Sequence, residues 1–192
     1  MPVRASITAA AFAAIAAVAH AAPAPGQVGS AVPLAVAAGA PQHTAGVFKA
    51  GDGADRGQAL LTETPTGVLI NLKLTGLPPG WHAIHLHAKG DCSDAAFERA
   101  GGHINHATPK PHGLLNPQGP DFGDLPNIYA AADGTVNAEL FTQLVSLRGA
   151  GSRERLLDAD GSSIVVHANR DDYRTQPIGG AGARIACAVV KE

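Results

Sequence analysis

From Val68 to Leu74 the chain reads VLINLKL, with Val68, Ile70, Leu72 and Leu74 on one side and Leu69, Asn71 and Lys73 on the other. A repeat of two is that of an extended strand with one face turned inward. Similar short runs recur at residues 45–50, 58–64, 81–88, 127–131, 135–142, 163–169 and 184–190, eight candidate strands in all. Turn-forming groups separate them, among them Gly51-Asp52-Gly53, Pro78-Pro79-Gly80, Asp133-Gly134 and Asp160-Gly161. This spacing predicts an all-β antiparallel sandwich or barrel. Residues 89–126 break the rhythm, being rich in Pro and Gly with no sustained period. A connection that long is functional or clamped.

Composition supports the same class. The 23 Gly and 14 Pro favour turns and short strands over long helices. Fourteen basic residues against sixteen acidic ones leave a net charge of −2, so neither a nucleic-acid surface nor an acidic tail is indicated. Residues 1–21 carry one charge, Arg4, then an apolar stretch from Ile7 to Ala19 and the small-residue pattern Ala19-His20-Ala21. They predict a secretory signal peptide cut after Ala21. A membrane anchor is the alternative, but spanning needs ~20 apolar residues and this run is shorter. Cleavage would leave no membrane attachment. Residues 22–42, uncharged and rich in Ala, Pro and Gly, read as a flexible lead-in to one domain. In an oxidising compartment the two cysteines, Cys92 and Cys187, most simply form one disulfide, with two buried thiols as the alternative. The chain contains no C-x-x-C, which removes support for zinc ribbons, iron–sulfur sites and thioredoxin-type redox motifs.

Histidine is where chemistry enters. Six of the nine lie between His82 and His112, and His167 ends another apolar run. In WHAIHLHA, His85 and His87 are two apart and leave a strand on one face, while Ile84 and Leu86 point the other way. In SSIVVHAN the same parity groups His167 with Val165, so three imidazoles can line the outer wall of one sheet. A lone strand histidine is ordinarily a surface or hydrogen-bonded residue. An H-x-H pair backed by a Gly-rich loop with more histidines points to metal instead, because several imidazoles must converge to displace water. The loop adds His103, His106, His112, Asp121 and Asp124, with Asp91 and Asp94 nearby. Mixed imidazole and carboxylate suits zinc, whereas an all-imidazole group suits copper. A cupin would want Glu where Asp91 and Cys92 stand, and no G-x-S-x-G elbow, P-loop or H-E-x-x-H occurs.

Four ordered motifs carry a resemblance: AIHLHAKGDC from Ala83, GDLPN from Gly123, VVHANRDD from Val165 and GGAGARIACAVV from Gly179. Over about residues 43–192 the chain resembles the exported bacterial branch of the copper/zinc superoxide dismutases. The resemblance implies an eight-stranded antiparallel Greek-key barrel, of Ig-like sandwich architecture, with a long metal-binding loop. It implies a periplasmic enzyme acting on superoxide, with copper on His85, His87, His103 and His167, and zinc on His103, His112 and Asp124. His103 would be shared by both metals. Asp171 matches the carboxylate that bonds ligands of both metals, Arg184 the arginine that orients the anion, and His82 a structural histidine. One position departs from the family pattern, since Asp121 stands where a third zinc histidine is usual. The preferred reading is that Asp121 serves as that ligand; His106 swinging in, or Asp121 as a mere turn residue with weak or absent zinc, are the alternatives. A non-catalytic copper carrier or metal store on the same barrel is the competing function. The oligomeric state, monomer or homodimer, is not legible.

Overall fold

The computed structural model describes residues 42–106 and 108–192. The expected signal peptide and nearly all of the lead-in lie outside the described residues. Twelve strands and one short 3₁₀ turn are present among those described. In chain order the strands are β1 (Gln42–Thr44), β2 (Phe48–Lys49), β3 (Asp55–Thr64), β4 (Gly67–Leu74), β5 (Gly80–His82), β6 (Ile84–His87), β7 (Ile128–Ala130), β8 (Val136–Thr142), β9 (Val145–Ser146), β10 (Glu154–Arg155), β11 (Ser162–His167) and β12 (Arg184–Val190). The main sheet has eight strands, running β6-β11-β12-β2-β3-β4-β8, with β1 pairing β3. All its pairings are antiparallel, and neighbours such as β6 and β11 or β12 and β2 are distant in sequence, as in a Greek key.

Closure comes from a separate pair. β5 bonds β7 with Trp81 opposite Tyr129; β5 continues through Ala83 into β6, and β7 turns into β8, where Ala131 N–H donates to the Thr135 carbonyl at 2.8 Å. The sheet therefore meets itself, which protects most strand edges. The single run 81–88 expected from sequence divides at Ala83, because the two halves find different partners. Ala83 is held there by bonds exchanged with Asn169 and His167. The parallel pair β9 and β10 escaped the sequence reading, since two-residue strands carry no period.

Val68, Ile70, Leu72 and Leu74 are all buried, as the alternation in β4 predicts, and they join Leu61, Ile84, Leu86, Ile164 and Val166 in one core. At roughly 25 cal/mol per Å² of buried apolar area this core is the main favourable term in folding. A satellite cluster of Phe97, Ala100, Val165 and Cys187 lies outside the sheet, beneath the 3₁₀ turn Glu98–Ala100. Cys92 and Cys187 are joined as a disulfide, with a sequence separation of 95 residues. In the chain-entropy model a loop of that size contributes roughly 4–5 kcal/mol. The long connection is thus clamped, and its clamp sits beside the histidines.

Candidate metal centre

The free edge of β6 is stitched to the long loop. Ala88 N–H donates to Gly102 O, Ile104 N–H to Leu86 O, and Leu86 N–H to Gly123 O, each at 2.9 Å. His103 thereby bridges to His87, and Asp124 to His85. Backbone pairing, more than side-chain attraction, brings loop residues against the H-x-H strand. On the other edge, β11 lies antiparallel with Val165 opposite His85, and a bulge after Val166 sets His167 opposite Arg184.

Four buried ring nitrogens here have no hydrogen-bond partner: His85 Nδ1, His87 Nε2, His103 Nε2 and His167 Nε2. The other nitrogen of each ring is engaged. His85 Nε2 lies 3.0 Å from Asp171 Oδ2, His87 Nδ1 2.9 Å from Gly101 O, His103 Nδ1 2.8 Å from Asp121 Oδ2, and His167 Nδ1 3.1 Å from Gly182 O. Each backing oxygen accepts a hydrogen bond from the ring N–H it faces, so the inward nitrogen presents a lone pair. Leaving a buried polar atom unpaired costs about 1–3 kcal/mol, so four together mark a place built for a ligand. The ligand atoms of His85, His87 and His167 fall within 4.8 Å of one another. An all-imidazole set of this kind fits a copper ion.

A second group adjoins the first. His103, His112, Asp121 and Asp124 also present donors within 4.8 Å of one another. Asp121 is buried there, its Oδ1 accepting Gly123 N–H at 2.9 Å, while His106 is exposed and belongs to none of the donor groups. Two imidazoles with two carboxylates fit zinc. Asp171 spans the groups, facing His85 Nε2 through Oδ2 and His112 Nε2 at 3.1 Å through Oδ1. Gly179 makes room for it: φ is +60°, and a Cβ would fall 1.6 Å from Asp171 Oδ1.

Electrostatics separates the two groups. Burial lowers His85 to about 4 against the opposing bond from Asp171, and burial likewise brings His167 to about 4. Burial, with His103 nearby, holds His87 well below the usual imidazole range. For His112 burial also pulls downward, but the carboxylates of Asp124 and Asp171 outweigh it and raise the ring to about 10. Burial pushes Asp171 up, yet its bonds to His112 and His85 bring it below the ordinary carboxylate range. Between pH 6.5 and 4 the unfolded chain would protonate His85 and His167 while the folded chain would not. The metal-free protein is therefore expected to lose stability, on the order of a few kcal/mol, as pH falls through that window. The His112 contribution runs the other way, persisting at low pH and disappearing as pH rises through about 10. Denaturant titrations of chelator-treated protein at pH 7 and pH 4.5 check this, and equal stability at both would remove the account.

Arg184 opens β12 and donates to the carbonyls of Phe97 and of Gly101, the latter at 2.7 Å from Nη2. Gly101 O also faces His87, so one carbonyl links the arginine to the histidine cluster. His87, His103 and Arg184 line a cleft of about 440 Å³. His82 stands apart: its ring nitrogens lie 2.8 and 2.7 Å from the carbonyls of His167 and Pro78, leaving neither for a ligand.

The family model for copper/zinc superoxide dismutase matches residues 55–190. The chain belongs to that family. Among curated relatives, superoxide dismutase [Cu-Zn] of Caulobacter vibrioides is 63% identical over 145 residues, covering 76% of this chain and 83% of the relative. Superoxide dismutase [Cu-Zn] 2 of Aquifex aeolicus is 44% identical over 136 residues, covering 70% and 78%. Among solved structures, a SOD-like protein from Bacillus subtilis aligns with TM-score 0.72 at 35% identity, covering 77% of this chain and 97% of that one. The Cu/Zn superoxide dismutase from Brucella abortus aligns with TM-score 0.61 at 29% identity, covering 78% and 99%.

Two supports within this dismutase domain were missed in the sequence. Asn127, in the GDLPN run, accepts Asp171 N–H at 2.8 Å and donates to Asp171 O at 2.9 Å. Gln176 does the same for His112. Neither has a periodic or motif signal of its own, although Asn127 lies within a quoted motif.

Proposed function

We propose that this chain dismutes superoxide with copper held by His85, His87, His103 and His167, and zinc by His103, His112, Asp121 and Asp124. The observation that carries this is four buried imidazole nitrogens without a partner, three of them on rings whose ligand atoms lie within 4.8 Å of one another, beside a mixed nitrogen and oxygen group that includes the fourth ring. Bound copper supplies a one-electron couple, so that one superoxide leaves as dioxygen and a second, with two protons, as hydrogen peroxide. Arg184 attracts and orients the anion from the wall of the cleft. His103 lines the same cleft, and its Nε2 can hold and give up a proton only when it is not engaged by copper. Asp171 fixes the rings of His85 and His112 together, which sets their tautomers. Storage or carriage of copper would require neither an arginine in the cleft nor a histidine common to both donor groups.

We further propose a periplasmic location, with cleavage after Ala21, a lead-in over 22–42 and the dismutase domain over 43–192. The disulfide supports an oxidising compartment. No helix among the described residues is long and apolar enough to cross a membrane. Metal analysis of the purified protein beside a superoxide-decay assay tests the reading; a fully loaded protein without turnover would transfer it to the storage class.

The unusual ligand can be tested separately. Asp121→Ala removes both a donor and a negative charge, so zinc affinity is expected to fall by at least the roughly 10–100-fold typical of losing a supporting group. Asp121→His, which restores the common family residue, is expected to retain or raise it. Competition against a zinc chelator reads both variants. Equal affinity in wild type and Asp121→Ala removes Asp121 from the ligand set, and a loss confined to His106→Ala would place the role there.

A further inference from the structure

Gln176 lies between β11 and β12 and reaches the backbone of His112, 64 residues away in sequence. Its Oε1 accepts His112 N–H at 3.0 Å, and its Nε2 donates to the His112 carbonyl at 2.7 Å. One amide thereby satisfies both backbone groups of a loop residue that has no strand neighbour. Asn116 also donates to that carbonyl, at 3.0 Å, but belongs to the same loop. Gln176 ties two loops together.

The turn that presents Gln176 is closed by its own bonds. Asp172 Oδ1 accepts Arg174 N–H and Thr175 N–H, both at 2.8 Å; Gly179 N–H donates to Thr175 O at 2.6 Å, and Asp172 N–H to Gly179 O at 2.9 Å. Across the cleft His112 is buried, its ring between Asp124 and Asp171, and Gly113 N–H donates to Asp124 Oδ2 at 2.7 Å. Gln176 itself is exposed and borders the cleft that His103 and Arg184 line. An exposed side chain bonded twice to the backbone of a buried residue contributes little apolar packing. Its effect is on where His112 is held.

We propose that Gln176 is a positioning residue that latches the His112 segment shut and slows escape of metal from the group His103, His112, Asp121 and Asp124. This rests on the zinc assignment proposed above. With the amide in place, His112 can leave a bound ion only by breaking two backbone bonds to the neighbouring loop. Without it, the His112 backbone keeps only the Asn116 bond, and the nearest ties of the segment outside the donor cluster are Lys110 to Asn105 and Leu115 N–H to the Tyr173 carbonyl at 3.1 Å, two and three residues away.

The test uses protein loaded with copper and zinc, diluted into excess chelator, with release of each metal followed separately. Gln176→Ala is expected to release zinc roughly 10–100-fold faster than wild type, with copper release and metal-free thermal stability close to wild type. Gln176→Glu, which sets an oxygen against the His112 carbonyl, is expected to release zinc at least as fast as Gln176→Ala. Asp124→Ala serves as the reference for the assignment and is expected to lose zinc outright. If both Gln176 variants release zinc at the wild-type rate while Asp124→Ala loses it, the latch is refuted and the zinc assignment stands. If Asp124→Ala also retains zinc, the assignment fails and the latch with it. Equal acceleration for both metals together with a lower metal-free melting temperature would make Gln176 a general packing residue, overturning the proposal.

Discussion

His103→Ala is expected to weaken copper and zinc binding together and to reduce superoxide turnover by well over the roughly 10–100-fold that loss of a supporting group alone produces. The expectation follows from the two faces of one ring. Its Nε2 is buried and unpartnered beside the other three imidazoles, while its Nδ1 lies 2.8 Å from Asp121 and 3.7 Å from Asp124. Removing the ring deletes a donor from each group. It also leaves two buried carboxylates without the imidazole between them, a repulsion that only a bound cation could offset. Copper and zinc affinities measured separately by chelator competition decide the matter. If both match wild type, the shared-ligand assignment is wrong; if only one falls, His103 belongs to that metal alone.

The reach and the limits of the sequence show clearly at these same histidines. Parity along β6 and β11 was enough to set His85, His87 and His167 on one face, since a strand alternates whatever surrounds it. The alternation in β4 likewise forecast its buried side. Parity cannot say which nitrogen of a ring points inward. His85 turns Nδ1 to the centre and His87 and His167 turn Nε2, because the backing acceptor meets Nε2 of His85 but Nδ1 of the other two rings. Those acceptors come from Asp171, Gly101 and Gly182, set in place by loops with no period to read.

Loop supports were illegible for a related reason. Asn127 and Gln176 act on backbone groups, and a backbone group has no residue identity to match across 44 or 64 positions of sequence. The stitching of residues 102–104 and 123 to β6 is also backbone bonding. Asp121 was legible as a departure from the family pattern and as the preferred ligand over His106; its buried position against His103 adds the geometric support that the sequence lacked.

Arg184→Glu is expected to slow turnover at low ionic strength by a factor within the 10–10³ that electrostatic steering typically provides, with copper and zinc content little changed. The guanidinium contributes no donor to either metal group, so reversing its charge alters the field in the cleft and spares every ligand. It does hold the carbonyls of Phe97 and Gly101, and Gly101 O in turn faces His87. Arg184→Lys, which keeps the charge but cannot bond both carbonyls in the same fork, separates the two contributions. If steering dominates, the lysine variant stays near wild type; if positioning of the Gly101 carbonyl dominates, lysine and glutamate fail alike. Salt gives the independent check. The Debye length falls from about 10 Å at 0.1 M to about 3 Å at 1 M, so the wild-type rate should decline with added salt and the gap between wild type and Arg184→Glu should narrow. A wild-type rate indifferent to salt, together with an unimpaired glutamate variant, would leave Arg184 no part in drawing the anion to the cleft.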